Sequence, residues 1–200
     1  MNFIHGWYDL DNMSDNIRDK IKEKLIESYS KYYDITKSFE RKDMRCDDDN
    51  SCSAEPYFQA ECDFNMRSEK FFLSKQAKLW AVDSFEYVFI FSVPYLTDII
   101  YDRCLSYSYE TGMKRIVPGP EHMCSYISMI ILCDDASKTA VKKLRRCHLH
   151  KDFRFSLYGW MDFHTAVVVT ESGDVTTNLS GRDNAKNLKT IYQSQKGRKV

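Results

Sequence analysis

The sequence predicts an α+β fold. A mixed or mainly antiparallel sheet carries helices mainly on one face, and an N-terminal amphipathic helix is added to it. Two observations lead to this prediction. Residues 153–178 alternate apolar and polar side chains almost throughout and contain a hairpin-like turn at residues 171–174, which is typical of an antiparallel meander. Elsewhere, apolar residues recur at helical spacing in several separate segments, so helices and strands are mixed along one chain of 200 residues.

The chain divides by composition into four parts. Ser14 is a suitable N-cap, and apolar residues recur at helical spacing over residues 15–33. The stripe that they form must dock either on the main sheet or on a second subunit. Residues 36–56 are polar and show no period. We therefore expect an N-terminal accessory helix in residues 1–35, a polar acidic loop in 36–56, an α+β domain in 57–195 and a basic tail in 196–200.

Strands are predicted first in the main domain. Alternation begins at residue 57, and two further strands, residues 71–82 and 85–92, are separated by a hairpin-like turn at Asp83-Ser84. Residues 125–133 form an apolar, β-branched run. Such a run favours a central strand that is buried on both faces.

Three helices are predicted between and after these strands. Residues 96–112 have helical periodicity, and Gly112 is a typical C-terminal signal. A second helix is expected to open at Asp134-Asp135 and to run to about residue 147, because acids at its start and bases at its end suit the helix dipole. The last helix is expected over residues 182–193.

Composition and charge argue against several functions. The 29 basic residues balance 29 acidic ones, so net charge gives no argument for nucleic acid or for an anionic membrane. The chain has no signal-peptide pattern at its start and no apolar run long enough to cross a membrane. Seven cysteines without an export signal indicate reduced thiols and a cytoplasmic location. The common nucleotide-binding and hydrolase motifs are also missing from the sequence.

Three short segments carry a resemblance to a known group of proteins. They are EKFFLSKQAKLW (residues 69–80), EHMCSYIS (residues 121–128) and FSLYGWMD (residues 155–162). With them, residues 57–193 resemble a family of small, uncharacterised bacterial proteins, and the N-terminal helix lies outside the resemblance. The resemblance implies a bacterial cytosolic domain of unknown function and brings no activity with it.

Four residues are candidates for acid/base chemistry. Asp162 and His164 lie two apart on one predicted strand face, where a carboxylate can orient an imidazole as a general base. Glu121 and His122 follow a rigid Pro-Gly-Pro turn that could present them to the same site. The alternative is structural: Asp162 pairs with a turn amide and His164 is an ordinary strand residue. Cys147, His148 and His150 form a dense group of soft ligands, but zinc needs a fourth donor, so we predict no metal site.

A basic helix and two tyrosines are the candidate binding residues. The cations Lys142, Lys143, Arg145 and Arg146 lie within residues 138–151, where they could meet phosphates or form an ordinary solvated face. Aromatic residues make up 14% of the chain, and Tyr107 and Tyr109 are candidates for an exposed aromatic groove rather than for the core.

The sequence fits best a binding or interaction domain without catalytic activity. The partner would be a protein, or a second copy bound through the helix at residues 15–33, with no membrane involved. A small hydrolase or nuclease-like enzyme using Asp162, His164, Glu121 and His122 is the first alternative. A nucleic-acid-binding module using residues 138–151 is the second and is not favoured. The cofactor, the ligand and the oligomeric state stay open.

Overall fold

The computed structural model describes residues 17–37, 57–71 and 78–196. Within these ranges the helices are α1 (Ile17–Tyr29), α2 (Asp98–Arg115), α3 (Lys138–Arg146) and α4 (Arg182–Lys196). The strands are β1 (Asp34–Lys37), β2 (Phe58–Phe71), β3 (Lys78–Leu96), β4 (His122–Ala136), β5 (His150–Asp152), β6 (Trp160–Val169) and β7 (Asp174–Thr177). Ser14, most of the predicted acidic loop (residues 38–56, with Cys46 and Cys52) and the tail from residue 197 lie outside the described residues.

The strands form one mixed sheet in the order β1-β2-β3-β4-β6-β5, and β7 pairs with β6 beside β5. β4 runs parallel to β3 and to β6, and the other pairs are antiparallel. The predicted α+β class with a mixed sheet and an N-terminal helix is confirmed. The hairpin between β6 and β7 also agrees with the predicted turn at residues 171–174.

Helices cover both faces of the sheet, which corrects the expectation that they lie mainly on one. α2 and α3 pack on one face, called here the α2/α3 face, through Tyr101, Cys104, Ala140 and Leu144. α1 and α4 pack on the other, the α1/α4 face, through residues such as Leu25 and Leu188. The physical reason lies in the central strands. Because β3, β4 and β6 carry apolar side chains on both faces, each face needs a helical cover.

The apolar stripe of α1 docks on the main sheet. This is the first of the two alternatives given above, the other being a second subunit. Ile21 and Leu25 are fully buried, and Tyr29 is 8% exposed. Arg18 anchors the start of the helix, because its guanidinium binds the Asp134 carboxylate and donates to the Val93 carbonyl oxygen at 3.0 Å. The stripe therefore serves the chain's own core. Self-association through this helix would have to use its outward residues.

Two predicted boundaries in the middle of the chain are wrong. β3 runs unbroken through Asp83-Ser84, so these residues make no turn. Gly112 does not end α2 but lies buried inside it, where a Cβ atom would come within 2.7 Å of Ile127 Cδ1 on β4. The glycine is therefore needed for the close approach of helix to sheet rather than for a cap.

The helix after β4 also starts later than predicted. Asp134 and Asp135 still belong to β4, and α3 begins at Lys138. Ser137 is the N-cap, and its Oγ accepts from the Ala140 backbone N–H at 3.1 Å.

Residues 153–159 form a loop instead of the strand that their alternation predicted. Arg154, Phe155 and Ser156 have φ angles of 50°, 53° and 63°, in the left-handed region. The loop connects β5 to β6, and the inner neighbour of β6 is the parallel strand β4. Alternation alone predicts a strand, but among the strands that the structure describes, none lies beside residues 153–158 to pair with them.

Candidate functional site

A polar cluster interrupts the apolar α1/α4 face of the sheet. Towards the amino-terminal ends of β4 and β6, the side chains on this face change from aliphatic to polar. We define the His164 cluster by Tyr33, Glu86, Tyr126, Ser128, Asp162 and His164. The parallel register sets Ser128 beside His164 and Tyr126 beside Asp162, while Glu86 on β3 is in register with Tyr126. Three neighbouring strands thus bring their polar residues together.

A hydrogen-bond chain runs through this cluster. The Tyr33 hydroxyl donates to Glu86 Oε2 at 2.6 Å, and the Ser128 hydroxyl donates to Glu86 Oε1 at 2.8 Å. Ser128 Oγ also lies 3.3 Å from His164 Nδ1. Because the single proton of Ser128 goes to the carboxylate, its oxygen accepts at this second contact, so Nδ1 of His164 carries a proton. In the neutral imidazole, Nε2 then holds the lone pair.

Burial keeps the imidazole uncharged. It lowers the pKa of His164 below its ordinary value, and the carboxylates of Glu86, Asp162 and Asp183 oppose this effect without overcoming it. Burial likewise raises the pKa of Tyr126 to about 12, and that ring stacks on the imidazole with centroids 4.9 Å apart. Burial and then the hydrogen bond to Glu86 raise the pKa of Tyr33 as well. At neutral pH the cluster therefore presents protonated phenols around a neutral base.

Asp162 and His164 share the α1/α4 face, but Asp162 has a different histidine as its partner. His150 Nδ1 lies 2.7 Å from Asp162 Oδ1, and His150 Nε2 lies 3.2 Å from Asp152 Oδ2. The hydrogen bond to Asp162 is the main cause that raises the pKa of His150. Asp162 therefore holds His150 at the edge of the cluster and does not orient His164 directly.

Glu121 and His122 lie elsewhere. Glu121 pairs with Arg67 at 2.7 Å. His122 is buried on the α2/α3 face, where its ring stacks on Phe85; Nδ1 donates to the Tyr158 carbonyl oxygen at 2.7 Å and Nε2 lies 2.8 Å from Ser125 Oγ. His122 and Ser128 are six positions apart on β4, which is roughly 20 Å of strand. The structure therefore does not bring the four predicted catalytic residues together.

The candidate binding residues are divided between surface and core. Lys142, Lys143, Arg145 and Arg146 are exposed on α3, and Lys143 binds Asp102 at 2.8 Å. Tyr107 and Tyr109 are half-buried and pack on the core of the α2/α3 face, where their rings contact Phe91 and Phe163. Their rings therefore contribute to the packing of this core.

Sequence reasoning missed Tyr33, Glu86, Tyr126 and Ser128. A signal existed for two of them, because Glu86 and Ser128 are isolated polar residues inside otherwise apolar strand segments. In the described part of the chain, no three His, Cys, Asp or Glu side chains are grouped so that they could bind a metal ion. This holds also for the soft ligands Cys147, His148 and His150. None of the described helices is both long and apolar enough to span a bilayer.

Comparison with known proteins gives a family but no activity. The family model described as Domain of unknown function (DUF8052) matches residues 18–190. The chain belongs to this family. The match includes nearly all of α1, so the N-terminal helix is part of the family domain, unlike the narrower resemblance drawn from sequence segments. No curated protein and no solved structure matches the chain.

Proposed function

We propose that this family member is a binding domain that holds a small polar ligand at the His164 cluster and carries out no reaction there. The observation that carries this proposal is the state of Ser128. Its hydroxyl is the one beside the imidazole, yet the residue is fully buried and both of its hydrogen-bonding roles are taken by Glu86 and His164. Because the Ser128 proton goes to Glu86, His164 is not arranged to take it, and Ser128 is not set up as a base-activated nucleophile.

The geometry indicates what the ligand would offer. His164 Nε2 accepts no hydrogen bond from any residue in the described ranges, so its lone pair is open to a donor. The carboxylates of Glu86, Asp162 and Asp183 lie near the imidazole and favour positive charge. A ligand with an N–H or ammonium group meets both conditions.

A histidine-labelled sample tests this proposal. Small alkylamines and amides are titrated against the protein, with alkyl carboxylates of the same size as controls, while the His164 side-chain resonances are followed by NMR. We expect saturable shifts with amines or amides, no shifts with carboxylates, and loss of binding in His164→Ala. His148→Ala is the matched control, because His148 is exposed and outside the cluster. Equal binding by His164→Ala, or no binder among the amines and amides, would refute the site.

One observation favours an enzyme as the second candidate. A neutral imidazole with an open Nε2 can take a proton from water or from a substrate hydroxyl. In this alternative His164 is the general base, Tyr126 and Asp162 flank it, and Glu121 and His122 have no part. Turnover of a bound probe that disappears in His164→Ala, with binding retained, would favour the enzyme over the binding domain.

A further inference from the structure

A groove on the α2/α3 face lies between α3 and β7. The His164 cluster is on the opposite face of the sheet. Its volume is about 460 Å³. One wall is α3, with Lys138, Val141, Lys142 and Arg145, and the other contains Val169 and Thr176. Val141 and Val169 give the groove an apolar base beneath a charged rim.

The β7 wall is an open sheet edge. β7 pairs with β6 and, among the described residues, with no other strand. Just past its end, the Asn178 N–H donates inward to the Thr165 carbonyl oxygen at 3.1 Å. Because inward and outward groups alternate along an antiparallel strand, Val175 and Thr177 direct their backbone N–H and C=O away from β6. These groups make no hydrogen bond to any residue that the structure describes, so they can pair with an added strand.

The two walls match in direction and length. α3 starts at the Asp174 end of β7 and reaches the other end with Leu144, whose carbonyl oxygen accepts from Thr165 Oγ at 3.0 Å. Nine helical residues and four strand residues each span roughly 13 Å. A helix beside a free strand edge of equal length has room for about four residues of extended peptide.

Charge identifies the kind of peptide. Lys138, Lys142 and Arg145 recur on one side of α3, and none of them pairs with a carboxylate in the described part of the chain. The two acids of the groove, Asp135 and Asp174, both lie at its Lys138 end, since Asp174 pairs with the last residue of β6 and Asp135 is near the end of β4. The Lys142 and Arg145 end is therefore purely basic.

We propose that this groove binds a short, acidic, extended segment of a partner protein as an additional strand on β7. The backbone of the segment pairs with Val175 and Thr177, and its acidic side chains meet Lys142 and Arg145. This site is independent of the ligand site at His164, and either can fail without the other.

A fluorescent peptide of alternating Glu and Val tests the groove by anisotropy with the full chain. A second peptide of the same sequence carries N-methyl groups on alternate backbone nitrogens, which removes strand pairing and keeps the charge. We expect saturable binding of the first peptide and a loss of about tenfold or more on N-methylation, because main-chain hydrogen bonds supply much of the affinity in strand addition.

Two neighbouring arginines provide the matched variants. Arg145 lines the groove and Arg146 does not, although both are exposed on α3. Arg145→Glu should weaken binding about tenfold, and Arg146→Glu should weaken it by less than about threefold, since only the first charge meets the peptide. His164→Ala should bind the peptide normally. No saturable binding, equal binding of the N-methylated peptide, or equal effects of the two arginine variants would overturn the proposal.

Discussion

Removing the Ser128 hydroxyl tests the hydrogen-bond chain of the His164 cluster. In Ser128→Ala, Glu86 loses one of its two donors and His164 Nδ1 loses its acceptor. A hydrogen bond to a charged group contributes about 1.5–3 kcal/mol, and we take the lower end because half-buried Glu86 can recruit water. The 3.3 Å contact to His164 adds about 0.5 kcal/mol. The free energy of unfolding should fall by about 2 kcal/mol, which lowers the melting temperature by roughly 6 °C for a chain of this size.

Calorimetry of Ser128→Ala, with Ser106→Ala as control, measures this loss. Ser106 is exposed on α2, so the same chemical change there should shift the melting temperature by less than about 2 °C. A double-mutant cycle with Glu86→Gln should give a coupling free energy of about 1 kcal/mol, as expected for residues in direct contact. Additive effects of the two substitutions, or an unchanged melting temperature in Ser128→Ala, would refute the hydrogen-bond chain.

Three further predictions concern the cores. Leu25→Ala on α1 should cost about 2–5 kcal/mol, because Leu25 is fully buried, whereas exposed Lys24→Ala should be nearly neutral; equal chemical denaturation midpoints would contradict the docking of α1. Gly112→Ala should lower stability by up to about 2 kcal/mol despite the better helix propensity of alanine, because its Cβ atom meets Ile127; a higher melting temperature would show that Ile127 gives way freely. Burial raises the pKa values of Cys104 and Cys133 to about 12, so both thiols should react with a disulfide reagent only slowly in the native state, while all seven should react in denaturant without reductant; fewer than seven free thiols would show a disulfide.

Local periodicity predicted the main elements of the fold but not their ends. The run at residues 125–133 was assigned correctly as a central strand, because burial on both faces leaves a continuous apolar signature. The predicted helix start at Asp134-Asp135 was wrong, because acids that end a strand look the same in sequence as acids that begin a helix. The prediction that Gly112 ends a helix was wrong for a similar reason. A glycine serves equally well as a helix cap and as a point of close approach, and only the tertiary contact with Ile127 distinguishes them.

The candidate site was only half predictable. Residue type and alternation placed Asp162 and His164 on one face, and this is a local property of a strand. Their surroundings are non-local. Ser128 lies 36 residues from His164 and 42 from Glu86, and only the parallel register of β3, β4 and β6 brings the three together. His122 is the first residue of β4, six positions before Ser128, whereas the sequence predicted a strand only from residue 125, so the extent of β4 explains why His122 lies away from the cluster.

The protonation state of His164 has a direct consequence for pH. Since burial lowers the folded-state pKa below the value of the unfolded chain, the folded state resists protonation of this residue. Its contribution to stability should be complete above the unfolded value, near pH 6.5, and should be lost as the pH falls towards the folded pKa. His150 has the opposite effect on the pH dependence of stability, because its folded-state pKa is raised. The two histidines must therefore be followed separately.

Long-range ¹H–¹⁵N NMR of the histidine side chains makes that separation and tests the central claim most directly. At pH 7, we predict that His164 is neutral, with its proton on Nδ1 and an unprotonated Nε2, and that it titrates below its ordinary value of 6.5. His148, exposed and outside the cluster, serves as the internal reference. An imidazolium at pH 7, or a neutral ring with the proton on Nε2, would contradict an open acceptor at this site.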